Sequence, residues 1–290
     1  MRTGPYHIPK CNKSGFEGEH LNPNRARALD ELPMAQSSLS LAQKHALESE
    51  FPDRNWLELQ SPQTILRWSL ETYGSGLTMA TAFGAEGCAL LGMLAQIRDE
   101  TGLFPDIFNL DTGYQFEETL DLKRRIEDKY GFSIRAIQPD TAIEDAESDS
   151  RSIFEQPLYQ SQPNLCCYFR KVVPLASAVE GFSAWITAIR RDQTPERASA
   201  PIVGFDAQFP LVKINPLANW TKAQVWQYIH QNRVPFNPLH ERGFPSIGCW
   251  PCTRAVKNGE DDRAGRWSGS DKRECGIHVD LGGKASVEVG

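Results

Sequence analysis

Between Ser61 and Gln231 short apolar runs alternate with segments of helical period, and this alternation limits the fold more than any other feature. Ser61-Pro62 offers an N-cap with proline at the first helical position; Ile65, Leu66, Trp68, Leu70 and Tyr73 follow at roughly helical spacing, and Gly74 ends the run. A strand over residues 76–81 leads through the turn 82–86 into a helix over 87–100. A second strand at 106–110 runs into Asp111-Thr112-Gly113 and a helix over 116–130, and a third strand covers 132–137. After a polar stretch at 141–152 the pattern predicts a helix over 166–180, strands at 184–189 and 211–214, and a capped helix over 221–231. Such alternation predicts an α/β fold, an open and mostly parallel sheet flanked by helices. Ligands of such sheets bind beyond the carboxyl ends of the strands, so residues 81–86, 111–113 and Arg190-Arg191 are expected to line one cleft.

Residues 1–50 are rich in Gly, Pro, Asn, Ser and charge and read as a poorly ordered extension with one short helix around 39–49. The main domain is expected over 51–270, followed by a mobile tail over 271–290 that contains Gly282-Gly283. The net charge of −6 argues against a general nucleic-acid binder or a polybasic membrane binder. No apolar run approaches a membrane span, and the N-terminus lacks the layout of a secretory signal. With an odd number of cysteines, seven, a reducing compartment and a cytoplasmic location are expected.

Five of those cysteines form three groups: Cys166-Cys167, Cys249-Trp-Pro-Cys252, and Cys275 within Glu274-Cys-Gly-Ile-His278. A Cys-x-x-Cys pair alone is ambiguous between zinc, an iron–sulfur cluster and a redox dithiol. The adjacent pair narrows the choice. Neighbouring helical side chains diverge by about 100°, so a single tetrahedral zinc would need a distorted backbone to use both. A [4Fe–4S] cluster has separate iron corners for Cys166, Cys167, Cys249 and Cys252. Alone, Cys166-Cys167 would read as an inert buried pair. Cys275 has cations on one side and His278 beyond it, a setting that favours the nucleophilic thiolate. Cys11 reads as a stray cysteine and Cys88 as core.

Cations gather locally despite the acidic balance. Arg170-Lys171 follows the first cysteine pair, and Arg263-Ala-Gly-Arg266 lies between Cys252 and Cys275, with spacing suited to forked recognition of phosphate or sulfate. The loop Thr81-Ala82-Phe83-Gly84 joins a strand to a helix N-terminus, where backbone N–H groups favour an anion. A small anionic ligand fits this distribution better than a polymer.

Taken together, residues 166–175, 184–193, 248–254, Arg263-Ala-Gly-Arg-Trp267 and Glu274–His278 resemble the assimilatory adenylyl-sulfate (APS) reductases of the APS/phosphoadenylyl-sulfate (PAPS) reductase family. The resemblance covers roughly residues 61–278. It implies an adenine-nucleotide-hydrolase-like (PP-loop-like) fold and a four-cysteine [4Fe–4S] site. It also implies a catalytic Cys275 that attacks the sulfur of adenosine 5'-phosphosulfate, expels AMP and becomes an S-sulfocysteine, which thioredoxin reduces to sulfite. By the same resemblance Lys171, Arg197, Arg263, Arg266 and His278 hold the phosphate–sulfate end, while Thr81, Ala82, Phe83, Gly84, Asp111, Thr112 and Gly113 frame the nucleotide. Relatives usually carry a Ser-rich version of the first loop, and Gly is common where Ala188 stands here.

Two other readings compete. A sister enzyme would use the 3'-phosphorylated nucleotide PAPS. A zinc-stabilised nucleic-acid-binding or tRNA-modifying module would need only the Cys-x-x-Cys pair, and the acidic charge, the adjacent cysteines and Cys275 count against it. Oligomeric state is open, with a homo-oligomer compatible.

Overall fold

A computed structural model describes residues 51–141, 156–206, 208–269, 272 and 274–277. The expected N-terminal extension with its short helix, most of the polar stretch 141–152, His278 and the remainder of the tail lie outside the described residues. The chain enters through a helix absent from the sequence reading, α1 (Arg54–Leu59), capped by the Asp53 carboxylate, which accepts from Trp56 N–H. Helix α2 (Pro62–Tyr73) starts as expected, with Ser61 Oγ accepting from Thr64 N–H and proline at the first position.

Six strands form one sheet: β1 (Leu77–Ala80), β2 (Asp106–Leu110), β3 (Arg135–Ile137), β4 (Ala184–Ile186), β5 (Val203–Phe205) and β6 (Val212–Ile214), in the order β3-β2-β1-β4-β6-β5. All neighbours are parallel except β5, which pairs antiparallel with β6. Helices α3 (Ala85–Thr101) and α4 (Glu117–Tyr130) follow β1 and β2. The connections reverse direction between β1 and β4, so the crevice at their carboxyl ends is the place where a doubly wound sheet receives a ligand. Leu77, Thr78 and Met79 of central β1 are buried, as a strand covered on both faces requires. One core cluster joins α2, α3 and the sheet through Ile65, Leu66, Leu90 and Ile186. A second, smaller cluster gathers Phe108, Leu175, Trp185, Phe209 and Leu211.

Several expected boundaries are corrected. The third strand is only Arg135–Ile137 rather than 132–137, because Phe132 turns away to pack on Phe104 and Tyr130. The fourth ends at Ile186 rather than at 189; Thr187 hydroxyl is taken by Asn215 as the chain leaves the sheet. The helix expected over 166–180 is interrupted. Short α5 (Leu158–Ser161) and α6 (Pro163–Cys167) lead into a π-helical turn, Tyr168–Val172, before α7 (Val173–Ala178). Pro174 supplies the cause: it has no N–H for the regular bond to Arg170 carbonyl, and its ring crowds that position, so the turn widens. Helix α8 (Lys222–Gln231) carries the expected cap, a reciprocal capping box between Thr221 and Gln224. Among the described residues no helix is long and apolar enough to cross a membrane.

Candidate functional site

The loop after β1 places Thr81, Ala82, Phe83 and Gly84 at the N-terminus of the 17-residue α3. Thr81 Oγ1 accepts from Phe83 N–H at 3.2 Å, and Asn109 side-chain amide donates to Thr81 carbonyl at 2.8 Å. Phe83 adopts φ 56, outside ordinary β or α space, and its ring is buried in the core. Its side chain is therefore structural, and only its backbone is left to meet a ligand. After β2, Asp111 Oδ1 accepts from Gly113 N–H at 3.1 Å, and Gly113 turns at φ 74. Gln115 ties this turn to Asn109 and Leu110.

Of the two arginines expected in the cleft, Arg190 stays with the 81–86 segment through Glu86, and Arg191 turns away from it. Arg190 is buried between Glu86, at 3.0 Å, and Asp192, at 2.9 Å. Arg191 points to α1 and grips Glu58 with both terminal nitrogens, at 2.8 and 2.6 Å.

Cys166, Cys167, Cys249 and Cys252 line one cavity together with Lys171, Arg170, Arg266 and the rings of Tyr114, Tyr159 and Trp267. All six described cysteines are free thiols. Cys166 and Cys167 come from the end of α6, and the widened turn that follows lets Lys171 share their cavity. Cys249 caps the tight turn Trp250–Cys252 and Cys252 ends it. Cys249 is held by Thr112 Oγ1 at 3.3 Å, so the loop assigned to nucleotide framing also touches the cysteine cavity. Arg170 donates to Thr112 carbonyl at 2.8 Å and lies 4.5 Å from the Tyr114 ring centroid, which makes it a buried brace rather than a solvated cation. Tyr114, Tyr159 and Trp250 stand edge to face in a triangle, with Trp250 49% exposed.

Residues 252–254 pair with 265–267 through an isolated antiparallel bridge between Thr253 and Arg266, and this ribbon sets Arg266 beside Cys252. Arg266 stacks 4.5 Å from the Trp267 ring centroid and donates to Ser246 Oγ at 3.2 Å. Gly248 makes room for it.

The electrostatics follow from this crowding. Burial pushes the Cys167 thiol up, opposed by the charges of Lys171 and Lys272. Burial also raises Cys252, reinforced by Cys249 and Cys167. For Lys171 burial pulls downward, but thiolates at Cys249, Cys275 and Cys167 outweigh it and hold the ammonium above the usual lysine range.

The tail segment lies against the same region. Glu274 carboxylate, 10% exposed, bridges Arg197 at 3.0 Å and Arg263 at 3.3 Å. Gln208 side-chain amide donates to Gly276 carbonyl at 2.7 Å, and Ile277 packs on the second core cluster. Burial lowers the Arg263 pKa, with Glu274 opposing. The structure therefore gathers Cys166, Cys167, Cys249, Cys252, Lys171 and Arg266 around one cavity, and Arg197, Arg263 and Cys275 around the docked tail. Sequence reasoning missed Gln208 and gave Glu274 no role; Gln208 lies far from every motif, and no local signal marks it.

A family model described as the phosphoadenosine phosphosulfate reductase domain matches residues 76–255. The adenosine 5'-phosphosulfate reductase of Halalkalibacterium halodurans is 40% identical over 224 residues, covering 77% of this chain and 93% of its own. That of Salinibacter ruber is 38% identical over 256 residues, covering 88% of this chain and 94% of its own. The crystal structure of PAPS reductase from Candida auris, a phosphate complex, aligns with a TM-score of 0.60 at 30% identity over 76% of this chain and 99% of that one. The expected adenine-nucleotide-hydrolase-like, mostly parallel architecture is borne out. This chain belongs to the phosphoadenosine phosphosulfate reductase family.

Proposed function

We propose that this protein reduces adenosine 5'-phosphosulfate to sulfite and AMP in sulfate assimilation, with Cys275 as the nucleophile and thioredoxin as the reductant. The observation that carries this reading is the docking of Glu274–Ile277: Glu274 bridges Arg197 and Arg263, which holds the adjacent Cys275 beside that pair. Cys275 thiolate attacks the sulfuryl sulfur, an S–S bond forms, the S–O bond to the phosphate breaks, and AMP leaves. A thioredoxin thiolate then attacks Cys275 Sγ and releases sulfite. The second thioredoxin thiol resolves the mixed disulfide, so both electrons come from that dithiol. Bringing a thiolate to an anionic nucleotide requires fixed positive charge, and Lys171, Arg197, Arg263 and Arg266 provide it. AMP is a good leaving group, so no general acid is needed. In this reading His278 also contacts the phosphate–sulfate end, and Thr81–Gly84 backbone and Asp111–Gly113 frame the nucleotide.

Cys166, Cys167, Cys249 and Cys252 would hold a [4Fe–4S] cluster. The four thiols line one cavity. A tetrahedral zinc needs its sulfurs within roughly 3.8 Å of one another at a Zn–S bond of about 2.3 Å. Cys166 and Cys167 are neighbours at the end of α6, so their side chains diverge, which suits separate iron corners better. Bound there, the cluster would supply a fixed electrostatic environment next to Lys171.

Mass spectrometry after incubation with adenosine 5'-phosphosulfate, without thioredoxin, tests the reading. A sulfonate adduct on the Cys275 peptide supports it. Continuing turnover with an unmodified Cys275 overturns it. The family match also admits the 3'-phosphorylated nucleotide, and comparing turnover of the two substrates decides between them.

A further inference from the structure

Glu274 is the nearest neighbour in sequence to the thiol, yet its carboxylate fills the space between two guanidiniums assigned above to the substrate. Arg197 and Arg263 both contact Glu274 Oε2, while Oε1 is buried and makes no hydrogen bond among the described residues. An internal carboxylate with half of its acceptors unmet is a weaker occupant of two arginines than a phosphate or sulfate, which presents three oxygens to a forked donor. Glu274 and the anionic end of the substrate cannot share the seat without like-charge repulsion in a half-buried place. Two other contacts hold the same tail segment without using a cation: Gln208 to Gly276 carbonyl, and Ile277 against the second core cluster. Gln208 is itself fixed, because Asp206 Oδ1 accepts from the Gln208 and Phe209 N–H groups, and Lys213 pairs with Asp206 at 3.1 Å.

We propose that Glu274 is a positioning residue that clamps Cys275 in the empty enzyme by occupying Arg197 and Arg263, and that the incoming anion displaces it. The seat then changes occupant while Gln208 and Ile277 keep the tail attached as a pivot, so substrate arrival frees the thiol to move. This inference rests on the assignment of Arg197 and Arg263 to the substrate's anionic end. It goes further in giving the carboxylate before the nucleophile the part of a displaceable internal anion.

The test uses the full chain with Cys275→Ser, which prevents turnover, and reads backbone hydrogen exchange in the peptide spanning residues 274–277 together with ligand affinity by calorimetry. Adenosine 5'-phosphosulfate and inorganic sulfate are the two probes. Without ligand, the added substitution Glu274→Gln should raise exchange in the tail peptide and tighten binding of both probes by roughly tenfold, the factor equivalent to about 1.4 kcal/mol. In the parent, either probe should raise tail exchange; with Glu274→Gln neither should raise it further. Gln208→Leu should raise tail exchange and, because a looser tail holds Glu274 in the seat less firmly, tighten both probes by a smaller factor than Glu274→Gln does. Weaker binding in Glu274→Gln would show that Glu274 supports the seat instead of filling it, and would overturn the proposal. Equal exchange in the parent and Glu274→Gln would also overturn it. The sulfate arm separates the two failures: tail release by sulfate without any response to the nucleotide overturns the substrate reading alone.

Discussion

A methyl group added at Gly248 would sit 2.3 Å from Arg266 Nη2, 2.5 Å from Cζ and 3.0 Å from Nε. The obstacle is the far end of a long side chain, so Gly248→Ala should evict Arg266 from the cavity rather than disrupt the backbone. Losing the stack on Trp267 costs about 0.5–1 kcal/mol. Replacing glycine by alanine recovers about 0.4–1 kcal/mol through the unfolded chain. The two nearly cancel, and Tm should move by only about 2 °C. Function should not be spared. A charged hydrogen bond is worth about 1.5–3 kcal/mol, so losing Arg266 from the substrate's anionic end predicts a fall in kcat/KM of roughly 10- to 100-fold. Gly265→Ala is the matched control. There the added carbon meets Arg254 carbonyl oxygen at 2.2 Å, inside the ribbon that carries Cys252 and Arg266. A carbonyl cannot rotate away, and overpacking of this kind costs about 1–3 kcal/mol, which lowers Tm by several degrees. Thermal melts and steady-state kinetics on both variants decide the matter. Native kcat/KM in Gly248→Ala refutes the role given to Arg266. Equal losses of Tm in the two refute the distinction between a yielding side chain and an unyielding backbone.

Cys275→Ser should abolish turnover while nucleotide affinity, measured by calorimetry, stays within about twofold of native. Lys171→Ala should preserve visible absorption and slow formation of the Cys275 adduct by at least about tenfold; bleached protein with native chemistry contradicts the part given to Lys171. His240, whose ring abuts Trp226 and bonds Phe244 carbonyl, has its pKa lowered by burial despite that bond and Glu86, with Lys222 also lowering it. Its folded pKa is below the unfolded value of about 6.5, so its contribution to stability is full above that pH and lost as pH falls through the lower folded pKa. Denaturant midpoints at pH 7.5 and 5.5 should converge in His240→Gln relative to native protein.

The alternation of apolar and helical segments made the order of β1, α3, β2 and α4 readable, because each carries its own period and cap. Strand β5 was not, since Val203-Gly-Phe205 is too short for a period and exists only through its pairing with β6. The break at Tyr168–Val172 was hidden behind a helical pattern, although Pro174 held the signal. At the site, the cysteine spacing and the pairs of cations were visible as motifs. The partners of Arg190 and Arg191 were not, because Glu86 and Glu58 lie on separate helices and ion pairs of that range leave no local trace. Gln208 and its hold on Gly276 belong to the same class.

Ile277 packs on Phe209 and its neighbours, within the small cluster that also backs β2 and β4. Complete burial of an isoleucine is worth roughly 1.5–3 kcal/mol and partial burial about 1 kcal/mol, a factor of roughly five in favour of the docked arrangement that adds to the Glu274 ion pairs and the Gln208 hydrogen bond. If the proposed reductant must meet a detached arm, it encounters only the minority that has given up this apolar contact, so the burial of Ile277 slows that step in proportion.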